Sequence, residues 1–276
     1  MVPIEYLLHF IEEDAPFGDA TSDAIIPDIT CNAVIRSEEP GIIAGLEEAS
    51  ALFAHYGIQI KSDVVDGVLV KRGDLLLSLC GNAKKILLVE RTALNIIGRM
   101  SGIATRTHQM ASVIREVNPR CRVAGTRKTC PGFRALDKKA VVLGGGESHR
   151  SSLSDGILIK DNHLVLVPFA DAVRAAKNAT WYKKIEIEVE TCKDALVAAK
   201  AGADIIMLDN MSPDHIRKTL AALTNEGLRD VVTIELSGGI NGENIKDYAA
   251  LGADVISLGA LTHTVRNFSV NLEILT

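Results

Sequence analysis

The chain has 276 residues, with 30 lysines and arginines against 35 aspartates and glutamates, for a formal charge of −5 at neutral pH. With 47% hydrophobic and 24% charged residues it reads as one large or two moderate globular domains, which excludes wholesale disorder, and 4% aromatics leave little material for base stacking. No apolar run approaches the ~18–20 residues of a membrane span. At the start of the chain, Ile4, Leu7, Leu8 and Ile11 alternate with Glu5, His9, Glu12 and Glu13. That pattern is an amphipathic helix rather than a signal peptide. The five cysteines are odd in number and contain no C-x-x-C, so neither a disulfide framework nor a zinc site is expected and the chain reads as cytoplasmic.

Short β-like runs follow at Cys31–Ser37, Gly41–Ala44, Ile58–Val65, Gly67–Lys71 and Asp74–Cys80, with turns at Asp66-Gly67 and Arg72-Gly73-Asp74. In this context Arg72-Gly73-Asp74 is a hairpin turn rather than a recognition tripeptide. From Lys84 to Val117 the spacing is helical, with Gly98 and Ser101-Gly102 as punctuation, which predicts two helices or one bent helix. Residues 1–110 are therefore an expected α+β domain of antiparallel sheet and helices.

Residues 111–276 change rhythm. Strand candidates at Arg122–Thr126, Ile157–Lys160, Ile185–Glu190, Asp204–Leu208, Val231–Leu236 and Asp254–Leu258 alternate with Ala- and Leu-rich helical stretches such as Phe169–Asn178 and Cys192–Ala201. Two helices end in one phrase, Ala201-Gly202-Ala203-Asp204-Ile205-Ile206 and Leu251-Gly252-Ala253-Asp254-Val255-Ile256. A glycine C-cap followed by an apolar run is the mark of a buried parallel strand. The expected fold class is α/β: a C-terminal βα barrel, partly open and TIM-like, behind the N-terminal domain. A doubly wound open sheet is the alternative that periodicity leaves open.

Charge is uneven. Between Arg120 and His163 nine bases face four acids, a local +5 against −10 for the rest. A basic island in an acidic chain suggests a small anionic ligand, since long nucleic acid asks for a broader basic surface. In a βα barrel the site forms at the C-terminal strand ends. Those ends read Thr126-Arg127-Lys128-Thr129, Lys160-Asp161-Asn162-His163, the alternating Glu186, Glu188 and Glu190, Asp209-Asn210, Glu235 with Ser237-Gly238-Gly239, and Gly259 with Thr262-His263. Arg127 offers a planar fork to a carboxylate or phosphate, while Lys128 and Lys160 offer point charges. The glutamates would repel one another unless they met Mg²⁺, ribose hydroxyls or nearby bases, and salt-bridged barrel lining accounts equally for Glu186 and Glu190. Gly144-Gly145-Gly146 before His149-Arg150 resembles an anion loop. His55, His108 and His215 are expected at the surface or in packing, and Cys130 has no histidine partner at a useful spacing.

These motifs together resemble the quinolinate phosphoribosyltransferase family, also called carboxylating nicotinate-nucleotide pyrophosphorylases. The similarity runs from Glu13-Asp14 and Gly18-Asp19-Ala20-Thr21 through Glu90–Asn95, Ser101–Thr105, Thr126–Thr129 with Pro131-Gly132, Gly144–Arg150, Lys160–His163 and Glu188–Glu190. It ends with Leu208–Asn210, Ser237–Ile240 and Gly259–His263. The resemblance implies phosphoribosyl transfer from phosphoribosyl pyrophosphate to quinolinate, with decarboxylation to nicotinate mononucleotide, pyrophosphate and CO₂. It implies that Arg127, His149, Arg150 and Lys160 bind the quinolinate carboxylates, with Lys128 near the pyrophosphate and Thr126 in the substrate site. It implies Glu188 and Asp209 as holders of Mg²⁺ or ribose hydroxyls, and Ser237, Gly238, Gly239, Gly259 and Ala260 as the 5′-phosphate site. Lys128, Lys160, Glu188 and Asp209 are the implied catalytic set. Arg91 would be supplied to a neighbouring subunit, making a homodimer with shared sites the minimum unit and a hexamer of dimers a further assembly. Neither nucleic acid nor membrane is an expected partner. Gly125 stands where many members have Asp, and Leu236 where they have Ala or Ser. The Gly125–Thr129 form also resembles a sister group associated with molybdenum transport, which generally lacks the Lys160–His163 run. Two other readings stand beside the quinolinate enzyme: a transferase acting on nicotinate, and a non-catalytic binder.

Overall fold

The computed structural model describes residues 2–275. Helix α1 (Ile4–Asp14) buries Leu7 and Ile11, as the apolar spacing dictates. Then come α2 (Ala20–Ile25), β1 (Thr30–Ser37), β2 (Gly41–Ile42), α3 (Leu46–His55), β3 (Gln59–Lys61), β4 (Leu69–Val70), β5 (Leu75–Asn82) and α4 (Ala83–Val117). The second half holds β6 (Arg122–Gly125), α5 (Arg134–Leu143), β7 (Ile157–Ile159), α6 (Asp161–Leu164), α7 (Phe169–Ala179), β8 (Ile185–Val189) and α8 (Cys192–Ala201). It continues with β9 (Ile205–Asp209), α9 (Pro213–Asn225), β10 (Thr233–Ser237), α10 (Ile245–Ala249), β11 (Val255–Leu258), α11 (Ala260–His263) and β12 (Val270–Leu275). No helix among the described residues is long and apolar enough to cross a membrane.

Two compact units result, and neither is continuous in sequence. The first comprises Met1–His108, Cys130–Gly145 and Thr264–Thr276, the second Gln109–Thr129 and Gly146–His263. Residues 130–145 and 264–276, which fall in the sequence-based C-terminal span of 111–276, thus count with the first unit. That unit carries an antiparallel sheet ordered β12-β1-β5-β3, with β2 and β4 paired separately. Arg72-Gly73-Asp74 is a tight turn into β5, closed by the Lys71 N–H to the Asp74 carboxylate at 2.8 Å. It is not a hairpin, because β4 pairs with β2. Helix α5 packs Leu136, Ala140 and Val141 into this core, and Asp137, fully buried, takes a bidentate pair from Arg99 at 2.8 and 2.9 Å.

The second unit is a six-stranded parallel sheet ordered β6-β11-β10-β9-β8-β7. Strands follow one another in sequence from β7 to β11, and the last then lies beside the first, β6. A doubly wound sheet reverses its order partway, whereas this cyclic order is that of a barrel. The opening lies between β6 and β7. There the free edge of β6 takes a parallel bridge from Glu147, whose N–H reaches Val123 O at 2.8 Å while its carbonyl accepts from Gly125 N–H at 3.0 Å.

Period-two alternation gives each strand two characters. Val123, Ile159, Ile185, Ile187, Val189, Ile206, Leu208, Ile234, Leu236, Ile256 and Leu258 enter the apolar core with the helices. The intervening residues, Glu186, Glu188, Asp209, Glu235, Ser237 and Ser257 among them, take the opposite face. The repeated Gly-Ala-Asp phrase explains the strand starts. Gly202 and Gly252 reverse the chain at φ +91° and +90°. Asp204 then accepts from Ile185 N–H at 2.9 Å and Asp254 from Ile234 N–H at 2.7 Å, tying each strand to the one before it.

Helix α4 is one continuous 35-residue helix, so the glycines expected to break it have another purpose. A Cβ on Gly102 would lie 2.2 Å from the Arg266 carbonyl oxygen and one on Gly98 3.0 Å from that of Phe268. The Phe268 N–H meanwhile reaches Gly98 O at 2.8 Å. Alanine normally stabilises a helix interior by about 1 kcal/mol over glycine. Here the clash reverses the sign, and Gly102→Ala is expected to cost roughly 1–3 kcal/mol in urea unfolding. A gain in stability would show that the C-terminal segment does not pack as described.

Candidate active site

The inward faces of β7 to β11 and the segments after β6 enclose a cavity of about 460 Å³ within the second unit. That is in the size range of small-molecule sites. Thr126, Arg127 and Lys128 reach it from β6, His149 and Arg150 from the glycine-led segment, Leu158 and Lys160 from β7. Glu188 enters from β8, Met207, Asp209 and Asn210 from β9, Glu235, Ser237, Gly238 and Gly239 from β10, and Ser257 from β11.

Cations and carboxylates meet in defined pairs. Lys160 Nζ forms a close ion pair with Glu188. Its own N–H donates to His163 Nδ1 at 2.9 Å while His163 N–H returns to Lys160 O at 2.9 Å, so His163 fixes the Lys160 loop without lining the cavity. Lys128 is held by its N–H to Thr126 Oγ1 at 3.2 Å and by Thr262 Oγ1 donating to its carbonyl at 2.8 Å. Asp209 Oδ2 accepts from Asn210 Nδ2 at 2.5 Å.

Deeper in, His149 Nε2 stands 3.2 Å from Glu235 Oε2 and 3.5 Å from Glu186 Oε2. Burial opposes a charge on the imidazole, but the two carboxylates outweigh it through hydrogen bonds and charge, raising the His149 pKa to about 9. Burial likewise pushes Glu186 above the usual carboxyl value, with His149 pulling the other way. Burial and the neighbouring Arg127 draw Arg150 below the ordinary guanidinium value. His149, at φ +55°, and Asn210, at φ +52°, hold left-handed backbone that costs non-glycine residues of order 1 kcal/mol or more. Gly238 follows from Asn210: a Cβ there would sit 2.2 Å from the Asn210 side-chain oxygen. Gly238 and Gly239 run at φ +87° and +64°, a turn able to offer successive N–H groups to an anion.

Two groups of acids could be read as metal ligands. His149, Glu186 and Glu235 bring three donor atoms within 4.8 Å of one another, with His149 Nε2 paired to both acids. Glu188 and Asp209, half-buried at the cavity wall, are oxygen donors of the type a hard divalent cation takes together with substrate phosphates.

Comparison with known proteins identifies the architecture. Residues 19–101 match the quinolinate phosphoribosyl transferase N-terminal domain and residues 103–273 its C-terminal domain. The chain belongs to the quinolinate phosphoribosyltransferase family. It is 44% identical over 274 residues to the probable carboxylating nicotinate-nucleotide pyrophosphorylase of Methanothermobacter thermautotrophicus, covering 98% of each chain. It is 34% identical over 267 residues to the rat carboxylating enzyme, covering 96% of this chain and 88% of the rat protein. The crystal structure of the Ehrlichia chaffeensis nicotinate-nucleotide pyrophosphorylase superposes with a TM-score of 0.93 at 30% identity, over 100% of this chain and 99% of that one.

Against the residues that family resemblance implied, the cavity gathers Thr126, Arg127, Lys128, His149, Arg150, Lys160, Glu188, Asp209, Ser237, Gly238 and Gly239. It does not gather Gly259, Ala260 or Arg91. Gly259 lies against Lys128 instead, where a Cβ would come 3.1 Å from Lys128 Cδ and 3.0 Å from the His263 ring. Ala260 begins α11 and is exposed, and Arg91 is exposed on α4 in the first unit. Sequence reasoning placed Asn210 and Glu235 at strand ends without giving them a role and did not single out Leu158, Met207 or Ser257, although inward parity with Glu188 and Asp209 marks the strand members of that set. The departures Gly125 and Leu236 lie off the cavity, Leu236 fully buried in the outer core. His55, His108 and His215, expected at the surface or in packing, are exposed, and so is Cys130.

A histidine whose folded pKa is raised stabilises the fold fully below its unfolded value of 6.5 and loses that contribution as pH rises towards 9. Wild-type protein is therefore expected to lose several degrees of Tm between pH 6.5 and about 9.5, a decline absent from His149→Asn. Parallel Tm–pH curves for the two proteins would contradict the buried ion cluster.

Proposed function

We propose that this cavity is where the chain transfers phosphoribose from phosphoribosyl pyrophosphate to the ring nitrogen of quinolinate and releases CO₂, giving nicotinate mononucleotide and pyrophosphate. The observation that carries the reading is the convergence of four cationic side chains, Arg127, His149, Arg150 and Lys160, on one cavity whose other wall holds Glu188 and Asp209. Two carboxylates on a pyridine ring call for several fixed positive groups, and a monocarboxylate such as nicotinate would leave some of them unpaired.

Within this reading Arg127, Arg150, His149 and Lys160 orient the ring acid, and Lys128 faces the pyrophosphate. Ser237, Gly238 and Gly239 take the 5′-phosphate on backbone N–H groups. Gly259 serves mainly by leaving room for the Lys128 stem, and Ala260 adds to the phosphate end from the start of α11. Glu188 and Asp209 bind the ribose hydroxyls and, with the substrate's own oxygens, would hold Mg²⁺. When bound, that ion supplies charge neutralisation for the departing pyrophosphate. Charge at the anomeric carbon grows as the leaving group departs, and the two carboxylates stabilise it. Once the ring nitrogen carries the ribose, its positive charge stabilises the electron pair left when CO₂ departs, while the cationic wall keeps the remaining carboxylate in place. Thr126 positions Lys128 through its hydroxyl.

Arg91, exposed in the first unit, is assigned to a neighbouring copy's site, which makes a homodimer the working unit. The five free thiols accord with a reducing, cytoplasmic setting.

CO₂ release measured with both substrates and Mg²⁺ is the direct test, with nicotinate run in parallel. Turnover should require quinolinate, stop on chelation, and fall by at least ~100-fold in kcat/KM for Arg127→Ala. Conversion of nicotinate alone would move the protein to the monocarboxylate reaction, and binding without turnover would make it a carrier. The shared-site proposal has its own test. Arg91→Ala and Arg127→Ala, each inactive, should recover about a quarter of wild-type activity when unfolded and refolded as an equal mixture, because half the dimers then carry one intact site. No recovery would place each site within one chain.

A further inference from the structure

Two carboxylates, one in the wall of the main cavity and one in that of a neighbouring cavity, have no part in the chemistry above. Glu186 and Glu235 are 4% and 2% exposed, each with one oxygen on His149 and its other, Oε1, without a partner. On their strands they stand two residues before Glu188 and Ser237, hence on the same inward face. Buried acids of this kind are expensive, and apolar residues of similar volume would line a barrel more cheaply. Their common contact is one nitrogen of one side chain that also faces the main cavity.

Packing alone does not hold that ring. A second cavity, of about 230 Å³, is also lined by His149, Arg150 and Glu186 together with Asp155, Lys184 and Ile205. His149 thus borders both cavities, and its backbone is in the left-handed region at φ +55°. The polar contacts to β8 and β10 fix its place. Resting on the reading of the cavity given above, we infer that Glu186 and Glu235 are positioning residues that hold His149 against the second carboxylate of the ring acid, and so set the preference for a pyridine dicarboxylate over a monocarboxylate. The other charged groups about this cluster are Arg150, which interacts with both Glu186 and Arg127, and Asp155 and Lys184 in the wall of the second cavity. The raised His149 pKa agrees with a cation held between the acids.

The test compares quinolinate and nicotinate binding by calorimetry, and quinolinate kinetics, in wild type, Glu235→Gln, Glu186→Gln, Glu235→Asp and His149→Asn. Glu235→Gln should weaken quinolinate binding by at least ~10-fold and raise its KM, leaving nicotinate binding and the KM for phosphoribosyl pyrophosphate within about two-fold. Glu235→Asp should recover part of the loss. In a His149→Asn background the glutamine substitutions should add little, since the ring they act through is gone. Equal losses for quinolinate and nicotinate, or additive losses in that background, would overturn the inference and leave the acids as structural lining. A measurement on the wild type covers variants that fail to fold. With ¹⁵N-labelled histidine, both His149 nitrogens should carry protons at pH 7 and shift on addition of quinolinate, whereas a neutral ring or an unmoved signal would also overturn it. Absence of quinolinate binding and turnover in the wild type would instead refute the cavity's assigned function and is read separately.

Discussion

Burying acids inside a barrel is the constraint on which the second unit depends. Apolar alternation on β7 to β11 commits one face of every strand to the helices, and the opposite face must then meet itself across the interior. In this chain that interior set is polar: Glu186 and Glu235 at depth, Glu188, Asp209, Ser237 and Ser257 nearer the cavity. Carboxylates out of water are tolerated when a cation and hydrogen bonds compensate them. No inward position on β8 to β11 is basic, so the compensation comes from elsewhere. It arrives as Lys160 at the end of β7 and as His149 and Arg150 from the segment before it.

The open side of the barrel is what makes this delivery possible. After β6 the chain leaves the second unit at Cys130, builds α5 within the first, and returns at Gly146. In a closed barrel a seventh and eighth strand would occupy that side. Here the returning segment bridges the free edge of β6 at Glu147 and places His149 two residues later. The anchor of the excursion is itself electrostatic. Asp137 is clasped by Arg99, and Lys139 binds Glu47 and Glu48, which ties α5 to α4 and α3. For Asp137, burial drives the carboxyl pKa up and Arg99 opposes it.

Much of this was legible in the sequence, for physical reasons that differ from element to element. The six parallel strands were visible as short apolar runs between helical stretches, two of them behind glycine caps, and the repeated Gly-Ala-Asp phrase marks a repeated backbone tie. The strand-end motifs identified most of the cavity because a βα barrel gathers those ends. Strand β12 was not visible. Val-Asn-Leu-Glu-Ile-Leu alternates as an edge strand should, yet its partner β1 lies over 230 residues away, and pairing at that distance leaves no local mark. Gly98 and Gly102 looked like breaks because spacing shows a missing side chain and not the carbonyl that fills its place. Among the alternating glutamates, the lining explanation held for Glu186 in a stronger sense than packing, while Glu190 is exposed beyond the strand end. Alternation showed which acids share a face, and depth, which decides what each can touch, came only from the folded barrel.

The charge pattern gains its sense from the same geometry. Of the nine bases in the +5 island, Arg127, Lys128, Arg150 and Lys160 line the cavity, and Glu188, Asp209 and Glu235 from the acidic remainder line it with them. Lys160 already spends its charge on Glu188, and His149 on Glu186 and Glu235. Arg127 keeps a buried Nε without a partner, while Arg150 is drawn below its ordinary pKa by burial and by Arg127. Two guanidiniums that destabilise each other gain most from an anion placed between them. A rigid dianion supplies more of that relief than a monoanion, because each of its carboxylates can engage a different cation without reorganising the wall. Within the proposed function a dianion relieves this repulsion, while Glu186 and Glu235 keep His149 in the same cavity wall.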